Sequence, residues 1–170
     1  MPRSYITPNG LSLHFCRNIG AGQFGTAIAV RSRKGELYCL KEIPLKASDD
    51  KEHALTEVKL MRETCSHDNV VTFFESWFER NRMCILMEYA SNGSLDKLIA
   101  KYAASGTHFP TKKVTHFVEE LADALDYCHN TLRIIHRDIK PGNILIDGLG
   151  TLKLTDFGLS RTMTLSLIHI

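Results

Sequence analysis

The sequence lacks the cysteine pattern of a disulfide-bonded or zinc-binding protein. Its five cysteines are scattered, and none is paired with another at the two-residue spacing typical of zinc ligands. This usage argues against a disulfide framework and against a structural zinc site, and it favours a reducing compartment. The sequence also lacks an apolar leader and any run near the ~20 apolar residues that a membrane span requires. We therefore expect an intracellular protein, cytoplasmic or nuclear, with no membrane partner.

A strong charge bias is absent as well. The 21 Lys and Arg residues nearly balance the 19 Asp and Glu residues, so the formal net charge is only +2. This balance gives no general attraction to nucleic acid, and we expect none as a partner. Hydrophobic residues make up 44% and charged residues 24% of the sequence. Both values are typical of globular domains and exclude disordered, collagen-like and coiled-coil chains.

The pattern of apolar residues predicts strands first and helices later. Such an order favours an α+β protein with two lobes. A helix is predicted over residues 50–65, where Ala54, Val58, Met61 and Cys65 form one stripe. Ser94 and Thr111 are candidate N-caps of two later helices. Strands are predicted at 13–30, 36–43, 70–78, 83–89, 134–135, 144–146 and 152–154.

The first candidate motif is GAGQFG at residues 20–25. Glycines let the backbone approach phosphate oxygens and donate N–H groups without side-chain obstruction. A dinucleotide-binding turn would need a helix directly after Gly25, with Glu42 near the position of its ribose-binding acid. Residues 26–30 instead lead into a charged turn and another strand, which disfavours that alternative.

Lys41 and Glu57 are a candidate pair. Lys41 ends an apolar strand, where a lysine alone is usually only a solvated residue. Glu57, however, falls inside the apolar stripe of its predicted helix. A carboxylate that faces a core is costly unless a cation meets it, and Lys41 or Arg62 could serve.

The most informative segment is HRDIKPGN at residues 136–143, followed by DFG at 156–158. Asp138, Lys140 and Asn143 on one loop, facing a second acid at Asp156, could hold a divalent ion and a phosphate together. The alternative is that two polar turns merely flank a small hairpin.

In this order, the motifs resemble those of the eukaryotic protein kinases: a glycine-rich loop, a strand lysine, a helix glutamate, an HRD loop and DFG. Lys140 resembles the serine/threonine class, and KEI at 41–43, MEY at 87–89 and HRDIK at 136–140 are similar to the NIMA-related kinases. The resemblance implies a bilobal fold, with an antiparallel sheet and one main helix in the N-terminal lobe and an incomplete, mainly helical C-terminal lobe. The implied boundaries are 1–87 for the first lobe, 88–93 for a hinge, 94–164 for the partial second lobe and 165–170 for a non-native tail.

The resemblance also implies an activity, cofactors and roles for single residues. The activity is transfer of the γ-phosphate of ATP, with Mg²⁺, to serine or threonine hydroxyls of protein substrates. Asp138 would accept the hydroxyl proton, Lys140 would steady the γ-phosphate, and Lys41 would contact ATP while paired to Glu57. Asn143 and Asp156 would bind magnesium. The implied ATP-contacting residues are Ile19, Gly20, Ala21, Gly22, Gln23, Phe24, Gly25, Ala27, Cys39, Lys41, Met87, Glu88, Ala90 and Leu145.

The end of the sequence departs from the family pattern. No Ala-Pro-Glu motif follows the DFG motif, so we expect a C-terminally truncated fragment that is inactive as written. Residues 165–170 can be back-translated into a transposon end used to fragment DNA, which is why we expect a non-native tail. Two alternatives remain for the parent protein: a nucleotide-binding pseudokinase or regulatory module, and a small-molecule kinase of the same fold.

Overall fold

In the computed structural model the chain divides into two units. The described residues are 3–22, 25–46, 48–64 and 66–162. The first unit comprises Met1–Arg62 and Thr72–Tyr89, and the second comprises Glu63–Val71 and Ala90–Ile170. The predicted loop residues Gln23 and Phe24 and the predicted tail at 165–170 lie outside the described residues. None of the helices in the described part of the chain is long and apolar enough to cross a membrane.

The first unit is built on a six-stranded antiparallel sheet with the strand order β1-β2-β3-β4-β6-β5. Side chains alternate between the two faces of a strand, so one face carries an apolar cluster that includes Leu13, Ile28, Leu40 and Leu86. The strands are β1 (Ser4–Ile6), β2 (Ser12–Gly22), β3 (Gly25–Ser32), β4 (Leu37–Pro44), β5 (Phe73–Glu79) and β6 (Arg82–Glu88).

One helix belongs mainly to this unit. Helix α1 spans Ser48–Thr64. Three members of its predicted stripe, Ala54, Val58 and Met61, are buried as expected, and the fourth, Cys65, lies outside the described residues. A β-strand follows Gly25 directly, so the helix that a dinucleotide-binding turn needs is not there.

The second unit combines helices with short strand pairs. The helices are α2 (Leu95–Ala104) and α3 (Thr111–Asp126), which continues into a π-helical turn at Tyr127–Thr131. Strand β8 (Ile144–Ile146) pairs with β9 (Leu152–Leu154) in the predicted hairpin, and β7 (Ile134–Ile135) pairs with β10 (Arg161–Thr162). Single 3₁₀ turns occupy Pro141–Asn143 and Phe157–Leu159.

Two helix caps differ from the prediction. Ser94 occupies the N-cap position of α2, but its hydroxyl bonds to the Asp96 carboxylate rather than to the helix backbone. Thr111 was predicted to cap α3, and that prediction is wrong because Pro110 is the N-cap. The Pro110 carbonyl accepts from the backbone N–H groups of Lys113 and Val114, so Thr111 is already the first helical residue.

The predicted strand at 70–78 begins three residues later than expected. Val70 and Val71 are buried in the second unit, where the Val71 N–H donates to the Leu154 carbonyl at 2.9 Å. Both are β-branched residues of the kind that favours strands, but they contact β9 and do not belong to β5. Strand β1 was not predicted at all.

Candidate active site

The glycines of the glycine-rich segment lie at the end of β2 and at the start of β3. Gly20 lies opposite Ala27, Ala21 opposite Thr26, and Gly22 opposite Gly25. Gly25 has φ +132°, and a Cβ built there would lie 2.2 Å from the Glu42 carbonyl oxygen. Only glycine fits this position without displacing the backbone of β4.

The sheet register brings several predicted ATP-contacting residues onto one face. Lys41 on β4 lies opposite Ala27 on β3, and Cys39 lies opposite Met87 on β6. Directly opposed residues project from the same side of an antiparallel sheet, and Cys39 and Lys41 are two positions apart on one strand. These four side chains therefore share the face opposite the apolar cluster. Ile19 lies on β2 and Glu88 at the end of β6.

The predicted ion pair on this unit is present. Lys41 Nζ lies 2.6 Å from Glu57 Oε1, and the side chains are 15% and 5% exposed. Arg62, the alternative partner, instead lies over the Phe73 ring at 5.4 Å. The burial of Glu57 follows from its position in the apolar stripe of α1, and the lysine supplies the opposite charge that a buried carboxylate requires.

Cys39 lies two residues before Lys41 on β4, and its thiol is unreactive. Burial raises the pKa of its thiol to about 12. The thiol is therefore protonated at neutral pH and is a poor nucleophile.

Asp138 is held by two neighbours on its own loop. Lys140 Nζ donates to Asp138 Oδ2 at 2.7 Å, and Asn143 Nδ2 donates to the same oxygen at 2.8 Å and to the Asp138 carbonyl at 2.9 Å. The hydrogen bond from Lys140 is the main reason that the pKa of Asp138 lies below its ordinary value. The group is therefore an ionised acceptor at neutral pH.

His136 and Asn143 connect this loop to the residue before Asp156. The buried His136 ring bonds through Nε2 to the Thr155 carbonyl at 3.0 Å, and the Asn143 carbonyl accepts from the Thr155 N–H at 3.1 Å. Burial lowers the pKa of His136, while the carboxylates of Asp156 and Asp138 act in the opposite direction. His136 therefore feels the charge of both acids.

Two residues of this region adopt an unusual backbone conformation. Arg137 has φ 65° and Asp156 has φ 68°. Positive φ is uncommon for residues other than glycine and is concentrated at functional sites. The Arg137 conformation is supported by a bond from its Nε to the Leu159 carbonyl at 2.7 Å.

The donor set suits magnesium rather than a protein-only metal cage. Within the described ranges, no group of three or more His, Cys, Asp or Glu side chains could hold a metal ion. Magnesium, however, commonly uses one or two protein oxygens together with substrate phosphates and water. Because the Asn143 nitrogen donates to Asp138, its amide oxygen can act as a ligand alongside the Asp156 carboxylate.

Several contacts near these residues were not foreseen. Glu120 on α3 accepts a bond from the Leu152 N–H at 3.0 Å and so fixes the start of β9. Glu88 accepts bonds from both the backbone N–H and the hydroxyl of Thr72 at 3.1 Å. A carboxylate that binds a distant backbone group leaves no periodic or motif signal in the sequence.

Comparison with known proteins shows the family of this chain. A family model described as "Protein kinase domain" matches residues 13–167. The chain is 34% identical to a probable serine/threonine-protein kinase nek1 of Dictyostelium discoideum, with 86% of this chain and 33% of that protein covered. It is 33% identical to Aurora kinase B of Xenopus tropicalis (85% and 39% covered) and 32% identical to NUAK family SNF1-like kinase 2 of Homo sapiens (86% and 23% covered). The chain thus spans between 23% and 39% of the length of these curated relatives.

Proposed function

Because this chain belongs to the protein kinase domain family, we propose that the protein containing it is a serine/threonine protein kinase that transfers the γ-phosphate of ATP to protein hydroxyls. The observation that carries the proposal is the cluster in the second unit. Asp138 is ionised and bonded to Lys140 and Asn143, and Asn143 is bonded to the residue that precedes Asp156. Phosphoryl transfer depends mainly on positioned charges, and this cluster supplies them.

Asp138 is proposed to orient the substrate hydroxyl and to accept its proton. Its carboxylate is ionised at neutral pH because Lys140 and Asn143 donate to it. Lys140 is more than half exposed, so its ammonium group can turn from Asp138 to a γ-phosphate. The charge that it brings would offset the negative charge on the transferring group.

Magnesium is proposed to bind Asn143 and Asp156. Once bound, it would neutralise charge on the phosphate oxygens. The contribution of the chain is to hold the two oxygen ligands in place. The buried position of Asn143 and its bonds to Asp138 fix the amide, and the Thr155 backbone fixes the residue next to Asp156.

ATP is the proposed cosubstrate. In the first unit the support is the shared sheet face of Ala27, Cys39, Lys41 and Met87, together with the pairing of Gly22 with Gly25 where β2 ends and β3 begins. Lys41 is proposed to contact the phosphates while Glu57 holds its ammonium group. The other proposed contacts are Ile19, Gly20, Ala21, Gly22, Gly25 and Glu88 in the first unit, and Ala90 and Leu145 in the second.

The serine/threonine assignment rests on Lys140 and on the relatives. All three of the relatives named above are described as, or named among, kinases, and one is described as a serine/threonine-protein kinase. Their identities of 32–34% are too close to single out the NIMA-related group. The retention of Asp138, Asn143 and Asp156 disfavours a pseudokinase. An intracellular location stays a prediction.

The test is transfer of radiolabel from ATP by the full-length protein to a mixture of protein substrates, followed by phosphoamino-acid analysis. We expect phosphoserine and phosphothreonine. Asp138→Asn should lower kcat by about 100- to 10,000-fold and leave ATP binding intact, because it removes a proton acceptor and little volume. The matched control is Asp123→Asn on the exposed side of α3. ATP binding without transfer would favour a pseudokinase, and transfer only to small molecules would favour the other alternative.

A further inference from the structure

The first unit has a polar cleft on one face of its sheet. Lys41 projects from the other face. Its volume is about 460 Å³, which is in the range of small-ligand sites. It is lined by β1, by the end of β4 and by the hairpin that joins β5 to β6. Glu42 faces the cleft, whereas its neighbour Lys41 projects from the other side of the strand.

Glu42 organises two arginines that are far apart in the sequence. Arg3 Nη2 lies 2.5 Å and Arg82 Nη1 lies 3.3 Å from the same oxygen, Glu42 Oε1. The Glu42 side chain is 7% exposed, while the two arginines are 46% and 48% exposed. A guanidinium has five N–H donors, so one bond to Glu42 leaves further donors on each arginine.

Arg80 adds a third guanidinium from the hairpin turn. It lines the same cleft, and its backbone has φ 54°. In the described part of the chain it forms no ion pair. This backbone conformation is usual in a two-residue β-hairpin turn, which Arg80 and Asn81 form between Glu79 and Arg82.

The charges of the cleft favour a negatively charged ligand. Three arginines face two carboxylates, Glu42 and Glu79, and Glu42 is shared by two of those arginines. The planar donors of arginine match the oxygens of a phosphate in pairs, and clusters of arginine are a common means of recognising phosphate groups.

We propose that Arg3, Arg80 and Arg82, positioned by Glu42, form a binding site for a phosphate monoester or free phosphate on the first unit. This site is separate from the residues proposed to bind ATP. It does not depend on the proposed kinase activity, because all of its residues lie in the first unit.

Glu79 provides an internal test of the proposed chemistry. Glu79 lines the cleft, and its Oε2 accepts a hydrogen bond from Trp77 Nε1 at 3.4 Å. Because its carboxylate is negatively charged, it would repel a bound anion. Glu79→Gln should therefore tighten phosphate binding by several-fold. A site for a cation or for an uncharged ligand would respond in the opposite way or not at all.

The main experiment is an NMR titration of the chain at low salt, with ¹⁵N-labelled arginine side chains as the reporter. The probes are O-phosphoserine and inorganic phosphate. We expect Arg80→Gln to weaken binding of both probes at least ~10-fold, and Arg82→Lys, which keeps the charge but loses the planar donors, to weaken it several-fold. Arg33→Gln, an exposed arginine in the β3–β4 turn, is the charge-matched control and should change neither. The probe that binds tighter identifies the source of the phosphate.

The variants are chosen so that a folding defect cannot imitate the result. Arg80→Gln breaks none of the ion pairs described here, and thermal melting checks that the variant is folded. If it is not, the tightening expected of Glu79→Gln still decides the matter. The proposal is overturned if neither probe shifts the arginine signals, if Arg80→Gln binds as tightly as the parent chain, or if Arg33→Gln weakens binding equally. ATP affinity is measured in parallel and should not change in any of these variants.

Discussion

Two ion pairs of almost equal length, one in each unit, lie in opposite environments. The Lys41–Glu57 pair measures 2.6 Å with side chains 15% and 5% exposed, and the Lys140–Asp138 pair measures 2.7 Å with side chains 54% and 20% exposed. The N–O distances alone would suggest that the two pairs contribute equally to stability. Burial separates them, because a buried charge that loses its partner is left without water, whereas an open one is hydrated again. The first pair is therefore part of the scaffold, and the second is free to exchange partners with a substrate.

The largest effect on stability is expected when the buried pair is broken. Lys41→Met removes the cation that lies 2.6 Å from the buried Glu57 carboxylate, and Glu57→Gln removes the charge of that carboxylate. Each change should lower the free energy of unfolding by about 3–5 kcal/mol, measured by urea denaturation. The double variant Lys41→Met/Glu57→Gln should lose less than the sum of the two. Strictly additive losses would show that the pair is not coupled and would remove the contrast with the open pair.

The contrast between the two pairs could largely be predicted from the sequence. Glu57 falls in the apolar stripe of α1, so helical periodicity alone predicts that it is buried and needs a cation. Asp138, Lys140 and Asn143 lie within six residues of each other, and this short spacing predicts that they are close together. Local patterns of this kind carry over into the fold because helix geometry and chain connectivity set the distances.

The rest could not be predicted because it depends on contacts between distant residues. Arg3 and Glu42 are 39 positions apart, and β1 has too few residues to show an alternating pattern. Val118 shows the reverse problem: it recurs at helical spacing with Val114 and Leu121, which predicts an apolar stripe, but it is 61% exposed. Periodicity predicts that a helix forms, whereas burial depends on what packs against each turn.

A smaller effect is expected at the glycine turn of the first unit. Gly25→Ala would place a Cβ 2.2 Å from the Glu42 carbonyl in a backbone conformation that alanine avoids. The change should cost about 1–3 kcal/mol of unfolding free energy, measured in the same urea experiment. Gly22→Ala is the matched control, because a Cβ there meets nothing within 4 Å. Equal losses of unfolding free energy in the two variants would mean that glycine is needed for backbone flexibility and not to avoid a contact with Glu42.

A pH-dependent effect is expected in the second unit. The Asp138 N–H donates to His136 Nδ1 at 3.3 Å, so that nitrogen is unprotonated and the ring is neutral. Burial holds the pKa of His136 below its ordinary value of 6.5, so on acidification the unfolded chain binds this proton first. The stability contribution is therefore complete above pH 6.5 and declines as the pH falls toward the folded pKa, by at most about 1.4 kcal/mol per pH unit for one proton.

The measurement is urea unfolding of the parent chain and of His136→Asn at several pH values. The difference between the two unfolding free energies should shrink as the pH falls. A difference that stays constant would show that His136 does not titrate in this way.

The smallest effect on stability is expected from the open pair, although it lies at the centre of the proposed chemistry. Lys140→Met removes a cation from a solvated carboxylate, which water and Asn143 continue to satisfy. The unfolding free energy should change by about 0–1 kcal/mol, as is usual for exposed pairs, whereas kcat of the full-length protein should fall with little change in its thermal midpoint. Arg33→Met, at an exposed position of the first unit, controls for the loss of one surface charge. If Lys140→Met instead lowered the unfolding free energy as much as Lys41→Met, the open pair would also stabilise the fold. A fall in kcat would then be the only support for its catalytic role.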